Sequence, residues 1–152
     1  MIEGVSLKEL KTHPDERGFF REIIRTTDDF FAEGFGQWSH SKMYRDVIKA
    51  WHIHRAQVDW WYVPLGALKV VLHDLRPESP TCGVTQELFL GEQYGDRVLK
   101  IPPGVAHGCK VLSGEAHLFY ITSNTYNPAD EGRIAHNDQS IGYDWLKRTP
   151  IT

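Results

Sequence analysis

Apolar and β-branched residues gather in short runs along this chain, and Gly, Pro, Asn and Asp separate the runs at short intervals. Strand-like runs span 19–24, 48–54, 60–63, 67–72, 86–90, 97–101 and 116–122. The breaks include His13-Pro14-Asp15, Pro64-Leu65-Gly66, Arg76-Pro77-Glu78-Ser79-Pro80, Pro102-Pro103-Gly104 and Asn127-Pro128-Ala129-Asp130. Regular short strands with turn signals between them predict an all-β sandwich or barrel. Residues 27–32 predict one helical turn, with Thr27 or Asp28 as its cap. Residues 141–146 read as a terminal strand or turn. No linker, repeat or low-complexity tract divides the chain, so one domain over 1–152 is expected.

Composition narrows the class. Of 152 residues, 41% are hydrophobic and 12% aromatic, enough for a core without staples. The net charge of -3 offers no basic surface for nucleic acid. No apolar run is long enough to span a membrane. The opening MIEGVSLKELKTHPDERG has no apolar signal core, so a cytoplasmic location is expected. Cys82 and Cys109 lack metal or redox spacing and read as reduced thiols in or near the core.

The chemistry concentrates around His52 and His54. Alternate residues of a strand share a face, so both imidazoles point one way. Asp59 follows five residues after His54, and His107 follows the Pro102-Pro103-Gly104 turn. His52, His54, Asp59 and His107 form a plausible shell for a divalent Fe, Mn, Ni, Co or Zn ion. Paired histidines that only hydrogen-bond within a pocket are the plainer alternative. Trp51, Trp60 and Trp61 lie close by, as packing or as faces for a base or sugar.

The spacing His52-x-His54, four residues, Asp59, six residues, Gly66 resembles the first signature motif of the cupin superfamily, a double-stranded β-helix or jelly roll. Gly95, then Pro102-Pro103-Gly104, two residues and His107 resemble the second motif, with the Gly-to-Pro spacing one residue long and Val111 where Asn is usual. A longer resemblance runs through nearly the whole chain. Asp15-Glu16-Arg17-Gly18-Phe19-Phe20-Arg21-Glu22, Phe35-Gly36-Gln37, Ser39-His40-Ser41, Asp74-Leu75-Arg76, the stretch from Ile101 to Gly108 and Tyr126-Asn127-Pro128 are similar to motifs of the dTDP-4-dehydrorhamnose 3,5-epimerase family. That resemblance implies a cupin-type jelly roll, a nucleotide-linked 4-keto-6-deoxyhexose as substrate and a homodimer with exchanged N-terminal strands. It implies His52 as the base and Tyr126 as an acid on the opposite face. It also implies substrate contacts from Arg17, Phe20, Glu22, Gln37, Ser39 and Lys49. His117 joins them because it starts a strand that can line the barrel.

The departures from that family carry their own expectation. Its Arg-Gly-Leu-His-Tyr-Gln reads here Lys49-Ala50-Trp51-His52-Ile53-His54, its enolate-stabilising Lys is Asp59, and its Asn before His-Ser is Ser39. The resemblance places the family's Asp partner for the catalytic His in a C-terminal segment that is not expected here, so His52 is expected to lack that partner. Together these changes favour a metal on His52, His54, Asp59 and His107 as Lewis acid. Tyr126, His117 or Glu22 would then be the base. The expected activity is epimerisation or isomerisation beside a ketone. The alternatives are a metal-dependent cupin isomerase with another sugar and a non-catalytic nucleotide-sugar binder.

Overall fold

A computed structural model describes residues 1–147. Among them, twelve strands form two five-stranded antiparallel sheets and a separate hairpin. The first sheet contains β1 (Ser6–Glu9), β9 (Arg97–Ile101), β6 (Asp59–Leu65), β11 (Glu115–Thr122) and β4 (Gln37–Tyr44), in that spatial order. The second contains β12 (Glu131–Arg133), β5 (Ile48–His54), β10 (Val105–Val111), β7 (Ala67–Asp74) and β8 (Thr85–Gly91). The hairpin pairs β2 (Thr12–Asp15) with β3 (Gly18–Arg21). This is the expected all-β jelly roll. No helix among the described residues is long and apolar enough to cross a membrane.

Burial explains why several strands look almost uniformly apolar. Between the sheets, Leu68, Val70 and Leu72 of β7 meet Val63 of β6, Leu99 and Ile101 of β9 and Leu118 of β11. The outer face of the second sheet is covered too. Trp51 and Val71 pack there with Ile141 and Trp145 of the C-terminal segment. On the outer face of the first sheet, Trp60 and Val98 pack with Phe31 and Val58. Strands buried on both faces lose the polar alternation of a half-exposed sheet.

The expected helix is a single 3₁₀ turn, Asp29–Phe31. Asp28 precedes it but makes no cap bond; its carboxylate instead accepts from Lys8 Nζ and the Arg25 amide. Residues 141–146 form turns, with no strand. The strands β1, β2, β4, β10 and β12 carry too few consecutive apolar residues to stand out in the sequence. Cys82 is exposed, against the expectation of a core thiol, whereas Cys109 is buried.

One irregularity positions the site. His107 pairs with His52, yet Cys109 pairs with Lys49, so β5 holds one more residue than β10 over this interval. The extra residue is a β-bulge, which re-aims side chains. Ala50 and Trp51 both join the outer cluster, and Lys49 turns inward to share a cavity with His52 and His54. Gly108 lies against the bulge: a Cβ there would stand 2.7 Å from the Lys49 carbonyl and 2.8 Å from the Trp145 ring.

Candidate functional site

A cavity of about 280 Å³ opens between the sheets where β4, β6 and β11 face β5, β10 and β12. His52, His54, Asp59, His107, Gln37, Lys49 and Tyr126 line it. Ser39 shares the inward face of β4 and accepts a hydrogen bond from Gln37 Nε2 at 2.9 Å. Gln37 in turn accepts from the Tyr126 amide at 3.0 Å, which ties the loop after β11 to β4.

The two histidines of β5 have different partners. His52 Nδ1 lies 3.2 Å from Glu131 Oε1, and the same oxygen accepts from Arg133 Nε at 3.1 Å. A carboxylate this close to Nδ1 favours the ring proton there, which leaves Nε2 with its lone pair. Burial lowers the His52 pKa below its ordinary value, with Glu131 opposing that shift. The ring is therefore neutral at neutral pH, the state a base requires. His52 is expected to lack the family's C-terminal Asp; β12, paired with β5, sets a different carboxylate, Glu131, beside it.

His54 faces two carboxylates, Asp59 at 3.9 Å from Nε2 and Asp130 at 4.0 Å from Nδ1. Asp59 is buried, and its oxygens accept from Gln57 Nε2 at 2.8 Å and Trp61 Nε1 at 3.2 Å. His107 donates from Nδ1 to the Val105 carbonyl at 3.0 Å and sets Nε2 3.7 Å from Asp59 Oδ2. Burial drives the His107 pKa down. One ligand atom each from His54, Asp59 and His107 lie within 4.8 Å of one another. His52, the fourth member of the expected shell, is outside this group.

Other expected contacts fall elsewhere. His117 shares the outward face of β11 with Phe119, because the inward positions are Leu118, Tyr120 and Thr122. There it meets His40 at 2.9 Å and Glu115 at 3.5 Å, so it neither touches substrate in this cavity nor acts as its base. Arg17 is at the turn of the hairpin, paired with Asp15, and Phe20 is 64% exposed beside it. Glu22 follows the hairpin and pairs with Arg25. None of these three lines the cavity of its own chain, which also removes Glu22 as an alternative base within it. Of the tryptophans, Trp61 lines the cavity; Trp51 and Trp60 are packed on the outer faces.

Sequence reasoning missed Glu131, Gln57, Arg133 and Asp130. Asp130 accepts from the amides of Arg55, Ala56 and Gln57, which pins the turn between β5 and β6. Glu131 is one of the positions that resemble the epimerase family, but that match assigned it no role and nothing in the sequence put it near His52.

Comparison with known proteins places this geometry in a family. The sequence model of dTDP-4-dehydrorhamnose 3,5-epimerase matches residues 1–152. The spore coat polysaccharide biosynthesis protein SpsL of Bacillus subtilis (strain 168) is 48% identical over 149 residues, covering 95% of this chain and 97% of SpsL. The dTDP-4-dehydrorhamnose 3,5-epimerase of Salmonella typhimurium is 36% identical, covering 95% of this chain and 82% of that protein. Among solved structures, a dTDP sugar isomerase from Desulfovibrio desulfuricans G20 superposes with a TM-score of 0.91 at 29% identity, covering 97% of this chain and 94% of that one. The Legionella pneumophila epimerase RmlC, solved with dTDP-4-keto-L-rhamnose, gives a TM-score of 0.83 at 29% identity, covering 99% of this chain and 83% of that one.

Proposed function

This chain belongs to the dTDP-4-dehydrorhamnose 3,5-epimerase family, a family of isomerases, and we propose that it moves a proton at a carbon beside the ketone of a dTDP-linked 4-keto-6-deoxyhexose. The observation that carries the reading is the His52–Glu131 pair on the wall of a cavity that Tyr126 also lines. His52 Nε2 removes the α-proton, and Glu131 holds the ring in the tautomer that leaves Nε2 free. His52 comes from the second sheet, and Tyr126 from the loop that follows β11 of the first. A sugar between them meets a base on one face and a phenol on the other, as inversion requires.

The negative charge that develops on the ketone oxygen needs a counter-charge. Asp59 cannot supply one. Lys49 and Arg133 are cations on the cavity wall, and they also suit a diphosphate. Lys49 Nζ is held at 2.8 Å by Ser41 Oγ.

Arg17, Phe20 and Glu22 enter the same reading through a second copy of the chain. Their hairpin shares backbone pairing with no other described strand, although Arg21 and Thr12 tie its base to Tyr62 and Asp96, and it carries exposed Phe19 and Phe20. A homodimer that exchanges this hairpin would bring all three to the partner's substrate. A cytoplasmic location completes the reading, since the nucleotide-activated substrate is a biosynthetic intermediate.

The direct check is product identity. Incubation with dTDP-4-keto-6-deoxyglucose followed by proton NMR is expected to show a change of configuration beside the ketone. Recovery of unchanged substrate after prolonged incubation with stoichiometric protein would refute the activity.

A further inference from the structure

We propose that His54, Asp59 and His107 bind one divalent transition-metal ion and that His52 stays outside its ligand set. The site draws on the reading above only for the use to which the ion is put; its existence rests on the three side chains themselves.

The ligand atoms come from three neighbouring parts of the fold, β5, β6 and β10, so regular hydrogen-bonded backbone fixes each one. The tautomer of His107 is settled by its surroundings. The Val105 carbonyl can only accept, so Nδ1 is the donor and Nε2 presents a lone pair toward Asp59. A ring held this way by a backbone carbonyl is the usual support of a ligating histidine. Gln57 and Trp61 occupy one lone-pair direction on each Asp59 oxygen and leave the directions toward the histidines open. Among the described residues, no Lys or Arg side chain pairs with Asp59. A buried carboxylate without a cation is costly.

The spacing suits an ion. Adjacent ligands of a tetrahedral ion with bonds of ~2.1 Å stand ~3.4 Å apart. His107 Nε2 lies 3.7 Å from Asp59 Oδ2 and His54 Nε2 3.9 Å from Oδ1, and one ligand atom from each of the three residues falls within 4.8 Å of the others, so an ion would draw the set together by about 1 Å at its widest. Two imidazoles and one carboxylate are ligands for Zn, Co, Ni, Mn or Fe(II). Three protein ligands leave positions open toward the cavity, the pattern of catalytic rather than structural sites. When bound, such an ion polarises a substrate oxygen as a Lewis acid. His52 is excluded by position: it is not among the side chains whose ligand atoms fall within 4.8 Å of one another, and its ring centroid is 6.4 Å from that of His107 against 5.6 Å for His54.

Chelator-treated full-length protein titrated with Co²⁺ reports on the site through visible absorption, and Zn²⁺ competition gives the affinity. One equivalent is expected, with a Kd roughly micromolar or tighter. Asp59→Asn and His54→Ala should each weaken binding at least ~100-fold, and His52→Ala should keep the wild-type stoichiometry and spectrum. Circular dichroism identifies any variant that has not folded, and the other ligand variant then decides. Absence of a stoichiometric Co²⁺ complex, unchanged binding in both ligand variants, or loss of the complex in His52→Ala overturns the proposal. Product formation measured on the same metal-free and reloaded samples separates this site from the epimerase reading. A metal complex without turnover supports the site and counts against the activity; turnover without any complex does the reverse.

Discussion

His52 and His54 are two residues apart on one strand, and their carboxylate partners give them different work. Glu131 lies 3.2 Å from Nδ1 of His52 and favours the tautomer that leaves Nε2 free, while His54 turns toward Asp59 and Asp130. Glu131→Gln should therefore lower kcat by ~10- to 100-fold with little change in KM, because it disturbs a base and not the binding surface. Steady-state kinetics with the dTDP-linked ketone checks this. An unchanged kcat would mean that Glu131 does not orient the ring. The sequence displayed His52, His54, Asp59 and His107 through spacing alone. It did not display which of them associate, because partner choice depends on Glu131, a residue remote in sequence that only strand pairing brings near. His117 misled for a simpler reason: its place at a strand start says nothing about which face it takes.

At the scale of elements, the β5 bulge decides what the cavity contains. Alternation along 48–54 groups Lys49 with Trp51 and Ile53, away from the histidines, and the bulge reverses that. Gly108 permits the close approach that the bulge needs. Gly108→Ala is expected to destabilise the protein by ~1–3 kcal/mol, read as a lower urea midpoint, as the new methyl group displaces Lys49 or Trp145. A second element-scale device closes the turn after β7. Buried Asp74 accepts from Arg76, Ser79 and Thr81, and the Arg76 guanidinium holds its carboxyl well below the usual carboxylate range. A depressed folded-state pKa means stability that is fully present above the unfolded value of ~4 and is lost as the pH falls below it. Asp74→Asn should cost ~3 kcal/mol at neutral pH and flatten the acid branch of a stability-versus-pH curve. Equal acid slopes in the two proteins would contradict that role.

The whole molecule was more legible than its site. Short apolar runs between turn residues announced the jelly roll, and the runs at 48–54 and 97–101 match β5 and β9 residue for residue. Strands such as β4 and β12 were hidden because their residues are half polar and are fixed by long-range pairing. Arg17 and Phe20 belong to motifs that were plain in the sequence, yet the hairpin that carries them lies away from the cavity of its own chain. The central claim is proton transfer by His52 next to a ketone, and solvent exchange tests it most directly. In deuterium oxide with dTDP-4-keto-6-deoxyglucose, wild-type protein should place deuterium on a carbon adjacent to the ketone. His52→Ala should exchange at least ~100-fold more slowly, and His117→Ala at the wild-type rate. Exchange that survives undiminished in His52→Ala, or that never occurs in the wild-type protein, would contradict the account.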